Sequence, residues 1–133
     1  VSSGTRKILA LLPNATQQGF AAGVNMAGGD SAFGSAIPLN AIGFFGSHVL
    51  TAGSYTGESY TEADGDRYRR FFVQDGVLKG FILVNAPERA GIYTSLVRNR
   101  TPLAGLDTAR LEAAPVLAAF PASVREAMLS GEV

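Results

Sequence analysis

Residues 67–84 read RYRRFFVQDGVLKGFILV, and this stretch decides the fold. Asp75-Gly76 separates two runs rich in β-branched and aromatic residues, a pattern that predicts a β-hairpin with a type I′ turn. The cross-strand pairs that a two-residue loop sets are Gln74 with Val77, Val73 with Leu78, and Phe71 with Gly80. The stretch therefore predicts two neighbouring antiparallel strands.

Strand alternation divides this hairpin into two faces. The predicted core face carries the apolar side chains Phe71, Val73, Leu78, Ile82 and Val84. The predicted half-exposed face places cations over rings, in the pairs Phe72 with Lys79 and Arg70 with Phe81. The basic side chains of the hairpin could meet an anionic partner or form a solvated edge; they are Arg67, Arg69, Arg70 and Lys79.

Further strands are predicted on the N-terminal side of the hairpin. Residues 40–45 and 48–53 are apolar runs on either side of Gly46-Ser47, and residues 55–66 read as a strand end followed by a polar loop. Because this loop is polar, we expect Gly57→Val to be tolerated better than Gly76→Val. Consecutive strands flanked by helices predict an α+β fold, an antiparallel sheet with helices packed on one face.

The N-terminal segment predicts a strand followed by a helix. Residues 6–12 are a polar start followed by five apolar residues, and Pro13 ends the run, which is typical of a buried strand. Asn14 is then a candidate N-cap, with Gln17 three residues later completing a capping box. The helix is expected to end at Gly28-Gly29.

The predicted first helix has a stripe of small side chains. The stripe consists of Ala15, Gly19, Ala22, Gly23 and Met26 at helical spacing. Glycine in a helix costs about 1 kcal/mol relative to alanine, so two glycines on one face suggest close packing. Either a flat ligand, a neighbouring backbone or the sheet of the same domain could lie against the stripe.

The C-terminal half predicts three shorter helices. Asn85 is a candidate cap with Glu88 three residues later, and the helix that follows would turn Ile92, Leu96 and Val97 inward. Residues 106–114 and 122–129 read as two further helices that prolines separate.

Composition argues against several classes of partner. The chain has 133 residues, the size of one domain, and its eleven basic and eleven acidic residues leave a formal net charge of zero. This balance offers no electrostatic reason to bind nucleic acid or an anionic membrane. No apolar run reaches the ~18 residues that a membrane span needs. The absence of cysteine fits a reducing compartment, so we expect a cytoplasmic location.

The titratable residues do not form a recognisable catalytic or metal site. His48 is the only histidine, and Ser47 with Asp64 or Asp66 would complete a Ser-His-Asp set on paper. The serine lacks the G-x-S-x-G context of a nucleophile elbow. The acidic cluster of Glu62, Asp64 and Asp66 reads as a solvated loop. We therefore expect neither catalytic residues nor a metal site in this chain.

Two strings in the first third of the chain resemble a known family. Residues 12–27 read LPNATQQGFAAGVNMA, and residues 40–46 read NAIGFFG. In this order they resemble the last stretch of the pyridine nucleotide-disulphide oxidoreductases, in the branch of NADH:rubredoxin reductases and the flavin region of NADH-dependent nitrite reductases. The resemblance covers roughly residues 5–103.

The resemblance implies a fragment of a larger flavoenzyme. Residues 1–29 would be the tail of an FAD-binding domain, and residues 30–133 a C-terminal domain of the interface type. Pro13, Asn14 and Ala15 match the turn that contacts the flavin ring. The parent would use FAD and NAD(P)H, bind them with upstream FAD and NAD domains of the same chain, and form a homo-oligomer.

The chain lacks the motifs that catalysis in this family needs. It contains no G-x-G-x-x-G after a strand and no cysteine, so we expect the isolated chain to catalyse nothing. Two alternatives to the resemblance remain: an independent binding or oligomerisation module without flavin, and, more remotely, a small hydrolase around His48.

We predict that the purified chain is colourless, because three contacts at the edge of the flavin ring cannot hold FAD without its phosphate-binding turn. Absorbance in the flavin band after gel filtration measures this directly. A stoichiometric yellow chromophore that co-elutes with the chain would show that the predicted domain limits are wrong.

Overall fold

The computed structural model describes residues 8, 9, 11–34, 36–88, 90–106 and 120–130. The elements of these residues are, in chain order, α1 (Leu12–Met26), β1 (Leu39–Phe44), β2 (Ser47–Gly53), β3 (Glu58–Asp64), β4 (Arg67–Gln74), β5 (Val77–Val84), α2 (Ala90–Asn99) and α3 (Ala122–Ser130). The strands form one sheet in the order β1-β2-β5-β4-β3. Every neighbouring pair is antiparallel, which confirms the predicted α+β fold.

The core lies between the sheet and α2, which packs on β5 and β2. Phe81, Leu83 and Leu96 are its largest fully buried side chains. The Tyr93 ring lies against both Phe71 and Phe81, with centroid distances of 4.8 and 5.8 Å. The remaining buried members of this cluster are Ile37, Ala52, Leu78, Val97, Leu106 and Phe120.

The β4–β5 hairpin has the predicted turn. Asp75 and Gly76 both adopt positive φ, at 56° and 70°, as a type I′ turn requires. Gln74 pairs with Val77 and Val73 with Leu78, as the two-residue loop predicts.

Beyond those two pairs, the predicted register is wrong. The register shifts between Phe72 and Val73, so that Phe72 pairs with Gly80 and Phe71 with Phe81. A β-bulge of this kind adds one residue to a strand and reverses its alternation. Phe81 and Leu83 therefore occupy the core face instead of the predicted Ile82 and Val84. The predicted pairs of Phe72 with Lys79 and Arg70 with Phe81 do not form.

Close backbone approach explains why Gly80 lies at the bulge. A Cβ atom at Gly80 would lie 2.6 Å from the Ala52 carbonyl oxygen and would also contact the backbone of Ser54. Glycine in a strand is typical of such a position. The bulge thus depends on a residue without a side chain.

The other hairpin turns differ from the prediction in detail. The β1–β2 turn is Phe45-Gly46, with φ of 45° and 79°, one residue earlier than the predicted Gly46-Ser47. Residues 55–66 are predicted as a strand end followed by a loop, and residues 58–64 within them form the complete edge strand β3. All seven β3 residues are exposed. Their sequence, ESYTEAD, does not alternate between apolar and polar residues, so the strand could not be recognised from its pattern.

The N-terminal strand and cap are predicted wrongly. The described residues of the predicted strand, 8, 9 and 11, are not in a strand, Ile8 is 95% exposed, and Leu12 already belongs to α1. A buried strand needs a neighbouring strand for its backbone groups, and none of the described strands pairs with residues 8, 9 or 11. Residues 6, 7 and 10 lie outside the described residues. The N-cap is Leu11, because Pro13 suits the first helical turn and the helix begins before Asn14.

The predicted end of α1 is confirmed. The N–H of Gly28 donates to the Asn25 carbonyl, and that of Gly29 donates to the Val24 carbonyl. With Gly28 at φ 88°, these bonds form a Schellman motif. The Asn25 side chain also exchanges two hydrogen bonds with the Ser31 backbone, of 2.9 and 2.6 Å. The helix end is therefore fixed to the segment that follows. The predicted boundary between a domain tail in residues 1–29 and a domain in residues 30–133 stays a prediction.

The prediction of α2 is confirmed apart from its cap. Leu96 is buried and Ile92 packs at the margin of the core, whereas Tyr93, which we did not predict, is buried. Asn85 adopts φ 50°, and its side-chain oxygen accepts the His48 backbone N–H at 2.9 Å. It thus joins strand ends and does not cap the helix. The structure confirms the last helix as α3, while residues 107–114 of the other lie outside the described residues.

We predict that Gly76→Val destabilises the domain by roughly 1–3 kcal/mol, because valine resists the positive φ of the turn. Thermal unfolding beside Gly34→Val measures the effect. Gly34 is a suitable control because an added Cβ meets nothing within 4 Å and its φ is not positive. Equal melting temperatures for the two variants would contradict the turn assignment.

The structure removes the reason for expecting Gly57→Val to be tolerated better than Gly76→Val. Gly57 has φ 95°, and a Cβ atom there would lie 2.7 Å from the Gln74 Cβ and also against the Val73 backbone. We therefore expect Gly57→Val to destabilise the domain as well.

Candidate functional site

An open groove of about 1120 Å³ separates α1 from α2. One wall carries Thr16, Gln17, Phe20 and Ala21 of α1. The facing wall belongs to α2, and the segment before β1 closes one side. Its other lining residues are Ser31, Ala32, Phe33, Leu39, Gly91, Ile92, Thr94, Ser95, Arg98, Asn99 and Phe120.

The groove combines apolar walls with a polar rim. Phe20, Phe33 and Ile92 contribute apolar surface, and Phe20 is 73% exposed. Among the described residues of the lining, Arg98 in the last turn of α2 is the only charged one, and its buried Nε has no hydrogen-bond partner in the part of the chain that the structure describes. Such a groove suits the edge of an apolar or planar group better than a polar reactant.

The three predicted flavin residues lie in the first turn of α1. Asn14 is buried, and its amide nitrogen donates to the Ile37 carbonyl oxygen at 3.2 Å. Pro13 and Ala15 are exposed. None of the three lines the groove, although Thr16 and Gln17, which follow them in the helix, do. The structure brings the three residues together at the start of α1, and their contact with flavin stays a prediction.

The small-residue stripe of α1 faces away from the rest of the described chain. Asn14 and Ala21 are the buried residues of this helix, and the stripe lies on the opposite side. A Cβ atom added at Gly19 or Gly23 would meet nothing within 4 Å. Leu12 and Met26, on the same side, are 81% and 90% exposed. The alternative in which this stripe packs on the chain's own sheet is therefore wrong.

The described contacts near His48 join strand ends through the Asn85 side chain. The His48 backbone N–H and the Asp66 carboxylate both bind the Asn85 side chain, at 2.9 and 3.2 Å. This contact uses the backbone of His48 and not its imidazole. Within the described ranges, no group of three or more His, Cys, Asp or Glu side chains could hold a metal ion.

The basic side chains of the hairpin have partners on the sheet. Arg67 pairs with Glu88 at 2.7 Å, and Arg69 lies between Glu62 and Glu88, at 3.6 and 3.8 Å. Lys79 pairs with Asp75 at 3.7 Å. These carboxylates neutralise the cations, which favours the solvated edge over an anion site.

Arg70 has a different role. Its guanidinium lies 5.2 Å from the centroid of the Phe72 ring and donates to the Ser59 hydroxyl at 3.1 Å. The Tyr55 ring covers Phe72 from another side, at a centroid distance of 5.2 Å. Together they bury Phe72 on the sheet face that α2 leaves open.

Comparison with known proteins identifies one informative relative, and no family model matches the chain. The chain is 39% identical over 113 residues to the NADH-dependent phenylglyoxylate dehydrogenase subunit epsilon of Aromatoleum evansii. This chain is homologous to part of an oxidoreductase subunit. The match covers 78% of the chain but only 27% of the relative, so the chain spans about a quarter of that protein.

The relative supports the predicted resemblance at the level of reaction class. An NADH-dependent dehydrogenase is an oxidoreductase, and a subunit named epsilon belongs to an assembly of several subunits. Its name does not mention FAD. Among the helices that the structure describes, none is long and apolar enough to cross a membrane.

We predict that the Glu88 ion pair makes stability depend on pH. The pKa of Glu88 is lowered because its carboxylate accepts hydrogen bonds from its own backbone N–H and from Arg67. A lowered folded-state pKa stabilises the fold above the unfolded-state pKa, and this stability is lost as pH falls through the folded-state value. Glu88→Gln should therefore lower the Tm at neutral pH, and the difference should vanish in acid.

Arg67→Gln/Arg69→Gln provides the background that tests the cause. Adding Glu88→Gln to this variant should change the Tm at neutral pH much less than it does in the natural chain. An undiminished effect in that background would assign the loss to the helix start and not to the ion pair.

Proposed function

We propose that this chain is the C-terminal part of an FAD-dependent NAD(P)H oxidoreductase subunit. Residues 1–29 would complete the FAD-binding domain, and residues 30–133 would form its interface-type domain. The exposed stripe of α1 carries the proposal. It presents small and apolar side chains to solvent in a chain that matches only 27% of an NADH-dependent enzyme subunit. The part of such a subunit that this chain does not match would cover the stripe.

Small residues on α1 suit this contact. Without side chains at Gly19 and Gly23, another backbone could approach the helix closely, and burial of Leu12 and Met26 would supply apolar area. The helix is also held firmly on its inner side by Asn14 and Asn25. The helix would therefore fix the position of a domain docked on the stripe relative to the sheet domain.

The proposed flavin contact uses the positive end of α1. A reduced flavin carries negative charge at the N1–O2 edge, and a helix N-terminus stabilises such charge. Pro13 has no N–H, and the Ala15 N–H donates to the Leu11 carbonyl at 3.0 Å. Because Ile37 holds the Asn14 side chain, the Asn14 backbone N–H is the donor that this proposal assigns to the flavin.

The parent enzyme would use NADH, as the relative's name states for that protein. FAD and NADH would bind to upstream domains of the same chain, where hydride would pass from nicotinamide to flavin. The interface-type domain would contact other copies or subunits, in the cytoplasm. The chain by itself would catalyse no reaction.

The rival proposal is an independent binding or oligomerisation module without flavin. The complete five-stranded sheet with its own core favours it. The two proposals differ in the reading frame upstream of Val1. Two glycine-rich dinucleotide fingerprints there would support the oxidoreductase, and their absence would support the module.

We predict that the protein extended upstream of Val1 binds FAD, and that Ala15→Glu lowers its flavin midpoint potential by roughly 20–40 mV, about 1–2 kcal/mol for a two-electron couple. A carboxylate beside the N1–O2 edge would repel the charge of the reduced ring. Spectroelectrochemical titration measures the potential.

Gln18→Glu is the matched control, since it adds the same charge at an exposed position of the same helix, three residues farther from its N-terminus. It should shift the potential less than Ala15→Glu does, because its charge lies farther from the proposed flavin edge. Equal shifts for both variants would remove residues 13–15 from the flavin site. An extended protein that is folded but holds no flavin would overturn the proposed function.

A further inference from the structure

The two edges of the sheet differ in charge. The β3 edge carries Glu58, Glu62 and Asp64 within seven residues. The β1 edge reads LNAIGF and has no charged residue, although five of its six residues are exposed. Natural proteins protect free strand edges with charge, and an uncharged, exposed, apolar edge is a site for pairing with another strand. Only the β3 edge is protected in this way.

Backbone groups of β1 are oriented for such pairing. Phe44 and Ser47 flank the two-residue turn and form the closing pair of the hairpin. Because hydrogen-bonded and non-hydrogen-bonded pairs alternate in antiparallel strands, the N–H and C=O groups that point away from β2 belong to Leu39, Ala41 and Gly43. Another strand could bind all of them.

The tip of the β1–β2 hairpin adds exposed aromatic surface. Phe44 and Phe45 are 64% and 93% exposed, and their ring centroids lie 4.4 Å apart. Phe45 also adopts φ 45°, which is unfavourable for a bulky side chain. Ile42, on the same strand, is 50% exposed. The edge therefore presents apolar side chains beside its free backbone groups.

We propose that β1 pairs with β1 of a second copy of this chain, antiparallel across a two-fold axis at Ala41. In this register Ala41 pairs with its own copy, and Leu39 pairs with Gly43 of the other chain. Side chains directly opposite each other then lie on the same face, so the two five-stranded sheets become one continuous sheet. Both helical layers lie on one side of it.

Charge favours a second copy as the occupant of this edge. Two-fold pairing opposes a strand to itself, and like charges directly opposite each other destabilise a sheet. On β3 such pairing about Thr61 would oppose Glu58 to Asp64, whereas on β1 it opposes no charges. Pairing of β1 with β3 of another copy would be open-ended and would place carboxylates beside Ile42 and Phe44.

The size of the contact predicts a weak dimer. One six-residue strand pair buries less area than a stable dimer interface, so the dimer should depend on protein concentration. Because β1 has no charges, added salt should not dissociate it. This inference is independent of the proposed flavin site.

Sedimentation velocity of the chain from micromolar to millimolar concentration tests the proposal. We expect the mass to approach about twice 13.8 kDa as the concentration rises. Ala41→Pro removes an outward N–H from β1 and should give a monomer, since proline is tolerated on an edge strand where its nitrogen faces solvent. Thr61→Pro removes the outward N–H at the matched position of β3, also three residues before the turn, and should dimerise normally.

Two further variants keep the test decisive. Ile42→Lys should also abolish the dimer, and it leaves the backbone groups of β1 unchanged. It therefore tests the proposal even if Ala41→Pro does not fold. Gly19→Glu places a charge in the α1 stripe and should leave the dimer intact. A natural chain that remains monomeric at millimolar concentration overturns the proposal, as does a dimer that Gly19→Glu abolishes and Ile42→Lys retains.

Discussion

The β-bulge in the β4–β5 hairpin determines how the core of this protein is built. It shifts the register after Val73 and Leu78, and thereby turns Phe81 and Leu83 toward α2. Without it, Ile82 and Val84 would occupy that face. Tyr93 packs on Phe71 and Phe81, and Leu96 and Val97 complete the layer. The bulge in turn requires Gly80, where the backbones of two strands come too close for a side chain.

The first helix joins this core to surface that the chain leaves uncovered. Its inner side is held by hydrogen bonds from Asn14 to Ile37 and between Asn25 and Ser31. Its outer side presents glycines with open space above them and strongly exposed Leu12 and Met26. A helix that is fixed on one side and apolar on the other is typical of an element at a domain boundary. This asymmetry and the oxidoreductase relative support the same proposal from independent observations.

Charged residues are also distributed unevenly over the surface. The formal net charge is zero, yet the charged residues of the sheet lie on β3, β4 and β5, and Arg67 and Arg69 meet Glu62 and Glu88, which precedes α2. The opposite edge, β1, and the outer side of α1 are uncharged. Although the net charge is zero, the protein therefore has a charged, solvated surface and an uncharged surface that suits contact with protein.

The sequence by itself determined the elements whose cause is local. Asp75-Gly76 dictates a type I′ turn and Gly28-Gly29 ends a helix, because only certain residues adopt positive φ without strain. Tertiary structure decided the remainder. Asn14 looks like a cap in isolation, but a carbonyl 23 residues away binds its amide. The bulge depends on how closely β2 approaches Gly80, and β3 is a strand only because β4 pairs with it. Such contacts join distant residues, and no local pattern of side chains encodes them.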